Sequence, residues 1–438
     1  MKWPPKIPHS LPGFGSDRPE PKPPLSEWPA KRIALIKPSA LGDIVHSLPV
    51  LSALRHRYPQ ARIVWIVNKG YQSLIEGHPE LDATIPFDRT VTGDGLWAAT
   101  KSYATFIRKL RAEKFDLAID LQGLMRSGVM CYLTGAKRRV GLATAREYSR
   151  WFYTDVVGRL SSEPETKNRE QKTGNRKPTF NSSAAGSFQS SVGYLDTLHA
   201  VDRYWEVALT LGARDYPITF RLPIHTEALE WAREALGSLP RPWMMVGIGA
   251  RWETKRLPPE FFARLLGRAQ EQYGGTAIFV GRDDETTLAQ AAADQLKGPT
   301  RTFTGETSLP ELAALLSLAD VMLANDSGPL HLAVALGRDV VAPYTCTRPS
   351  QHGPYRQENR TTTTRVSCAG SYLRRCARLE CLSELHPDRL WPQLQEILTT
   401  WQKQQGRTEK EVLTTTSRSK TETKTQVEVG TNNNPAFH

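Results

Sequence analysis

At 438 residues the chain is too long for one ordinary hydrophobic core and long enough for two domains. Hydrophobic residues make up 39% and charged residues 23%, which excludes a wholly disordered chain. The 57 Lys and Arg against 45 Asp and Glu leave a net charge of +12, which suits phosphorylated ligands or an anionic membrane surface. A nucleic-acid binder would gather such charge into Lys/Arg stripes interleaved with aromatics; the sequence shows none, so no nucleic acid is expected as a partner.

In chain order, prolines from Pro4 to Pro29 crowd residues 1–30, too many for helix or ladder, and predict a disordered leader with no apolar signal segment. Arg32 to Lys37 is a short apolar run suited to a buried parallel strand, and the loop Pro38 to Asp43 leads into a helix through Tyr58. Arg62 to Val67 reads as a strand, Leu96 to Glu113 as an amphipathic helix, Phe115 to Asp120 as a strand and Leu124 to Leu133 as a helix. Such alternation predicts a parallel sheet covered on both faces. Ser161 to Ser191 (residues 161–191) is polar, with almost nothing to bury, and predicts a disordered insertion.

A second alternating series opens with the strand Trp243 to Gly249, the helix Pro259 to Tyr273 and the strand Thr276 to Gly281. Asp284 to Lys297, Leu309 to Leu318, Asp320 to Ala324, Pro329 to Leu336 and Asp339 to Ala342 continue it. The expectation is α/β, with one half over residues 31–215, the other over 216–401, a cleft between them and a disordered tail over 402–438. No run approaches the ~20 apolar residues of a membrane span. Five cysteines, an odd number, do not make a disulfide framework, so a cytoplasmic protein with reduced thiols is expected.

Ligands of open parallel sheets bind beyond the carboxyl ends of the strands, so the loops after Lys37, Gly249, Gly281 and Ala324 should converge. In the first, Asp43 at a helix start is either an N-cap or a general base facing the cleft. In the second, Arg251, Lys255 and Arg256 crowd a strand-to-helix loop: either a solvated charge run or the seat of a diphosphate, whose departing charge Arg251 and Lys255 would neutralise. In the third, Glu285 and its acidic neighbours suit either a ribose diol or the helix macrodipole. The fourth carries Asn325-Asp326-Ser327-Gly328-Pro329-Leu330-His331, where Gly328 admits a phosphate to free helix amides, or where Asp326 or Ser327 merely caps.

There is no G-x-G-x-x-G, no P-loop and no Asp-x-Asp pair, so neither a cofactor nor a metal is expected. Cys368, Cys376 and Cys381, with Cys346 and His386 flanking, lack the tight pairing of a zinc site and read better as thiols.

Lys37 to Pro49 (KPSALGDIVHSLP) and Asn325 to Ala333 resemble the two signature segments of the lipopolysaccharide heptosyltransferases, glycosyltransferase family 9. Asp120 to Gly123, Thr144 to Glu147, His199 to Tyr204 and Lys255-Arg256 fit as well, nearest to the heptosyltransferase I members. The similarity runs from about Arg32 to Trp401, interrupted by the polar insertion. It implies two Rossmann-like domains in the GT-B arrangement, an acceptor-binding one followed by a donor-binding one. It also implies metal-independent, inverting transfer of heptose from ADP-heptose to the Kdo-lipid A inner core, in peripheral contact with the cytoplasmic face of the inner membrane. By the same resemblance Asp43 is the base, Lys255 the diphosphate lysine, Glu285 the ribose carboxylate, and Asp326, Ser327, Gly328 and His331 the donor loop. Gln122, Arg126 and Arg146 lie towards the acceptor, and the cluster Lys137, Arg138, Arg139, Arg146 and Arg150 would meet the acidic acceptor unless it is only a solvated face. The rival readings are a GT-B transferase using another nucleotide sugar and a non-catalytic nucleotide-sugar-binding protein.

Overall fold

A computed structural model describes residues 23–88, 96–158 and 195–406. The expected insertion at Ser161 to Ser191 lies outside them, as does most of the leader and of the tail.

Two six-stranded, all-parallel sheets form the body. The first comprises β1 (Arg32–Ile36), β2 (Arg62–Asn68), β3 (Ala83–Phe87), β4 (Leu117–Asp120), β5 (Arg138–Leu142) and β6 (Asp155–Val157), in the order β3-β2-β1-β4-β5-β6. The second comprises β7 (Trp243–Gly247), β8 (Thr276–Phe279), β9 (Thr300–Thr302), β10 (Val321–Ala324), β11 (Val340–Tyr344) and β12 (Thr361–Thr363), in the order β12-β11-β10-β7-β8-β9. Renumbered within its own half, each sheet runs 3-2-1-4-5-6, the doubly wound Rossmann order, so strand order reverses between β1 and β4 and again between β7 and β10. The two crevices at these switch points are where the fold places a ligand.

The central strands are apolar on both faces because helices cover both sides: Ile33 to Ile36, Ile63 to Val67 and Met244 to Val246 are almost wholly buried. β5, whose apolar run is broken by Arg138 and Arg139, and the four outermost strands, β3, β6, β9 and β12, escape the sequence reading. Thr300–Thr302 and Thr361–Thr363 are short and polar, and β3 carries Pro86, because an edge strand need not bury both faces or donate from every amide.

The two halves share one core. The helices Leu41–Arg57 and Ala200–Thr210 of the first half and Gly328–Ala335 of the second contribute Leu48, Leu51, Tyr204, Val207, Leu330 and Leu332 to a single cluster of buried side chains.

Two boundaries differ from expectation. Residues 23–30 belong to the folded body: Leu25–Glu27 forms a 3-10 turn, and Leu25 and Trp28 pack on the core. The Arg138 guanidinium donates to the Pro23 carbonyl at 2.8 Å and lies 5.2 Å from the Trp28 ring. Pro24 is extended where the turn begins, and the packing of Leu25 and Trp28 offsets the cost of ordering. At the other end residues 391–406 are helical, docked through Leu394, Ile397 and Leu398, so the helix runs past Trp401. Among the described residues no helix is long and apolar enough to cross a membrane.

Candidate functional site

At the first switch point, β1 is followed directly by Lys37, which is 2% exposed. Its Nζ donates to the Leu121 carbonyl at 3.1 Å and to the Tyr204 hydroxyl at 2.7 Å, and lies 3.7 Å from Asp43 Oδ1. Asp43 is not the N-cap, a position Ala40 occupies. It stands three residues into the helix, where Oδ2 accepts the Ala40 N–H at 3.2 Å and Oδ1 accepts the Tyr204 hydroxyl at 3.1 Å. One oxygen therefore caps and the other points at buried donors, with 37% of the side chain open to the cleft. Burial pushes the carboxyl up, but Lys37, the Ala40 amide and the Tyr204 hydroxyl more than offset that and hold it below the ordinary carboxylate range. Burial presses the Lys37 ammonium down, yet Asp43 and Tyr204 hold it above its usual value, so the pair stays ionised. Gln122, at the end of β4, accepts the Ser39 N–H at 3.3 Å and ties the two switch-point loops together.

At the second switch point, Lys255 Nζ donates to Asp326 Oδ2 at 2.5 Å, and the Thr347 hydroxyl donates to the same oxygen at 2.5 Å. His331 Nε2 lies 3.6 Å from the other oxygen. Asp326 is 5% exposed; burial pushes its carboxyl up, and the opposing Lys255 and His331 hold it far below the carboxylate range. Asn325 braces the loop, its Nδ2 donating to the Ile248 carbonyl at 2.6 Å and its Oδ1 accepting the Leu257 N–H at 3.4 Å.

Neither capping reading of this loop holds. The N-cap of Gly328–Ala335 is Ser327, whose side chain makes no capping bond and whose Oγ is buried without a protein partner, while Asp326 is occupied by Lys255 and Thr347. No side chain therefore caps the amides of the first turn, Gly328, Leu330 and His331, Pro329 having none, and this is an arrangement that can receive an anion.

Glu285 follows β8 and stands where two glycines make room. A Cβ at Gly249 would come within 1.9 Å of its carboxyl carbon, and one at Gly281 within 2.3 Å of Oε2. Its Oε2 accepts the Arg282 N–H at 3.1 Å, so the carboxylate is held between the loops after β7 and β8.

The two sites face each other across a close contact of helix starts. A Cβ at Gly42 would lie 2.6 Å from His331 Cδ2, and one at Gly328 would lie 2.7 Å from Leu41 Cβ, so each half supplies the glycine that receives the other. Behind this contact the buried His46 ring lies 4.4 Å from His331 and 5.4 Å from His199, with neither nitrogen bonded. Burial first, then its histidine neighbours, push its pKa well below the usual value and keep it neutral. His199 Nε2 meets the Gly353 carbonyl at 3.0 Å, a second link between the halves. Burial lowers His352 to about 4, although Asp326 and Asp43, one from each half, both act to raise it.

The expected residues therefore divide. Asp43 and Gln122 meet at one crevice; Lys255, Asp326, Ser327, Gly328 and His331 meet at the other, with Glu285 beside it. Arg251 is exposed on the loop after β7, Arg126 is exposed in the first turn of the helix Met125–Leu133, and Arg146 is exposed on the rim beyond Gln122. The basic cluster is not one surface: Arg138 is buried in a bidentate pair with Asp155 at 2.7 and 2.8 Å, and Arg139 and Arg150 spend hydrogen bonds on backbone carbonyls. Lys137 and Arg146 remain exposed. Lys37, Tyr204, His46 and Thr347 were not singled out. A lysine ending an apolar strand at a βα loop was the available signal for Lys37; the others are brought in by tertiary packing alone.

Among the described residues no group of three or more His, Cys, Asp or Glu side chains is arranged to hold a metal ion, and Cys346, Cys368, Cys376 and Cys381 are free thiols.

Residues 103–164 and 170–381 match the model of glycosyltransferase family 9 (heptosyltransferase). Lipopolysaccharide heptosyltransferase 1 of Pseudomonas aeruginosa is 24% identical over 84% of this chain and 98% of its own. The fold is shared with a family 9 glycosyl transferase of Veillonella parvula, at 22% identity over 84% of this chain and 97% of that one, TM-score 0.65. It is also shared with an Escherichia coli heptosyltransferase solved with ADP-2-deoxy-2-fluoro heptose, at 20% identity over 83% and 99%, TM-score 0.58.

Proposed function

This chain belongs to glycosyltransferase family 9, and from that premise we propose that it transfers heptose from ADP-heptose to the Kdo-lipid A inner core of lipopolysaccharide, with inversion and without a metal. The observation that carries the reading is the opposition of charge across the cleft: a carboxylate oxygen of Asp43 presented from one crevice, and an ammonium with uncapped helix amides presented from the other.

In this mechanism the donor diphosphate lies on Lys255 and the first amides of Gly328–Ala335, with Arg251 reaching it from the loop and Glu285 accepting from the ribose hydroxyls. The acceptor hydroxyl gives its proton to Asp43 as its oxygen attacks the anomeric carbon from the face opposite the diphosphate. The bond from that carbon to the diphosphate oxygen breaks, and the charge on the departing ADP develops against Lys255 and the helix dipole. Lys37 and Tyr204 fix the carboxylate and keep it ionised before the acceptor arrives. Gln122, Arg126 and Arg146 orient the acidic acceptor on the rim.

The proposal takes residues 31–215 as the acceptor domain and 216–401, extended through 406, as the donor domain. The lipid acceptor would bring the protein to the cytoplasmic face of the inner membrane.

The test is Asp43→Asn. The amide oxygen can still accept the Ala40 N–H, so the helix start survives, but no proton can be taken. Transfer should fall by ~10² to 10⁴-fold with ADP affinity retained. A variant that transfers at the parent rate would falsify the base assignment. Transfer from another nucleotide sugar in preference to ADP-heptose would favour the rival transferase.

A further inference from the structure

Among the described residues the exposed large hydrophobic side chains are Tyr103, Tyr132, Tyr148, Trp151, Val156 and Leu373. Four of these six fall between residues 132 and 156. Trp151 is 78% exposed and Tyr148 67%, their rings 5.0 Å apart, and neither serves the core or the cleft. Tyr132, on the neighbouring helix, lies 6.1 Å between rings from Phe152, the residue that follows Trp151.

The aromatics are displayed on a braced loop. Glu147 and Tyr148 hold successive positive φ angles of 54° and 61°, a conformation that costs L residues energy and persists where surrounding bonds over-determine it. Those bonds are present: the Ser149 hydroxyl donates to the Arg146 carbonyl at 2.7 Å, Arg139 Nε donates to the Phe152 carbonyl at 2.7 Å, and Arg150 donates to the Ala143 carbonyl. The loop also stands beside the site, since the Arg146 N–H donates to the Gly123 carbonyl at 2.7 Å, next to the Gln122 that grips the Asp43 loop.

The charge around it is positive. Lys137 and Arg146 are exposed, and Arg139 lies 5.5 Å over the Tyr132 ring. The neighbouring acids are engaged: Glu147 accepts the Met125 N–H at 3.3 Å and Asp155 is paired with Arg138. Tyr and Trp rings beside Lys and Arg are the composition that settles at a bilayer interface, rings among the headgroups and cations on lipid phosphates.

We propose that the Tyr148–Trp151 loop, with Tyr132, seats the protein reversibly on an anionic phospholipid surface, with Lys137 on its phosphates. The orientation would bring headgroup sugars to the acceptor crevice, and in that respect alone it rests on the transferase reading.

The experiment is co-sedimentation of the full chain with vesicles of phosphatidylcholine mixed with phosphatidylglycerol, alongside the double variant Tyr148→Ser/Trp151→Ser. The parent should sediment with these vesicles, and less with phosphatidylcholine alone or at high salt. The double variant should keep the parent melting temperature and transfer to a water-soluble deacylated acceptor, yet lose about ten-fold or more of its vesicle partitioning. A parent that does not sediment, or a variant that sediments equally, overturns the proposal. So does a variant that changes only from dimer to monomer in light scattering, because the patch is then a contact between copies of the chain. Failure of the parent to act on the soluble acceptor would sink the transferase reading while leaving the vesicle result to stand.

Discussion

The two switch points hold the same pair of residue types in opposite orientation. At the first, the lysine is buried and the carboxylate half-open: Lys37 is 2% exposed and Asp43 37%. At the second the order is reversed, with Asp326 5% exposed and Lys255 15%. A doubly wound half thus offers either sign of charge at its crevice, depending on which partner is placed behind the loop and which on it. The first arrangement leaves a carboxylate ionised and able to take a proton; the second leaves a cation poised beside helix amides to hold an anion. On the proposed transferase reading, the two facing crevices would supply the two ends of a displacement.

The largest effect expected from breaking this symmetry is Lys255→Met. It strands Asp326 in a site that water barely reaches, and removing one partner of a buried ion pair costs about 3–5 kcal/mol. ADP affinity should fall at the same time. Denaturant unfolding and ADP titration of Lys255→Met and of Lys255→Met/Asp326→Asn separate the two losses. The double variant should recover most of the stability and none of the affinity. Recovery of both would show that Lys255 serves the loop rather than the donor.

Next is the contact that brings the crevices together. Gly42→Ala is favourable for an isolated helix by about 1 kcal/mol. Here its methyl group would meet His331 Cδ2 at 2.6 Å, across the boundary between the halves. Overpacking of this kind costs about 1–3 kcal/mol, so the substitution should lower the melting temperature and the transfer rate together. Gly267→Ala, in the helix Pro259–Tyr273 where the nearest atom to its Cβ is 3.8 Å away on Leu296, should instead stabilise. Equal effects at both glycines would remove the helix contact from the argument.

The legibility of these features in the sequence follows how local each one is. The central strands could be read because Ile33 to Ile36 and Met244 to Val246 are apolar without alternation, a pattern that survives in one dimension; β5 could not, because it opens on Arg138 and Arg139. Asp43, Lys255 and the Asn325 to His331 loop could be found because the fold puts chemistry where strands meet helices. That Asp43 caps and faces the cleft at once could not, because its second oxygen is set by Tyr204, 161 residues away. The exclusion of Asp326 as a cap was decided the same way, by Lys255 and Thr347 claiming its carboxylate. Arg138 shows the reverse: one of several neighbouring cations by sequence, it is removed from the surface by Asp155 and Trp28.

The smallest effect is the most informative about the first crevice. Tyr204→Phe removes a hydroxyl that donates to Asp43 at 3.1 Å and accepts from Lys37 at 2.7 Å, leaving the ring and its packing in place. The Tyr204 hydrogen bond is one of the interactions holding the Asp43 carboxyl below its ordinary range. A base with a lowered pKa is active above that value and loses activity as the pH falls through it, so losing the donor raises the pKa and moves the acid limb of the pH–rate profile upward. At neutral pH the carboxylate remains ionised beside Lys37, and transfer should fall by less than about ten-fold, the worth of one ordinary hydrogen bond of about 1 kcal/mol, because Lys37 and the Ala40 amide still hold the carboxylate. ADP affinity should not change, because Tyr204 belongs to the opposite crevice. An acid limb that stays put while the rate falls would mean that Tyr204 touches the acceptor and does not tune the base.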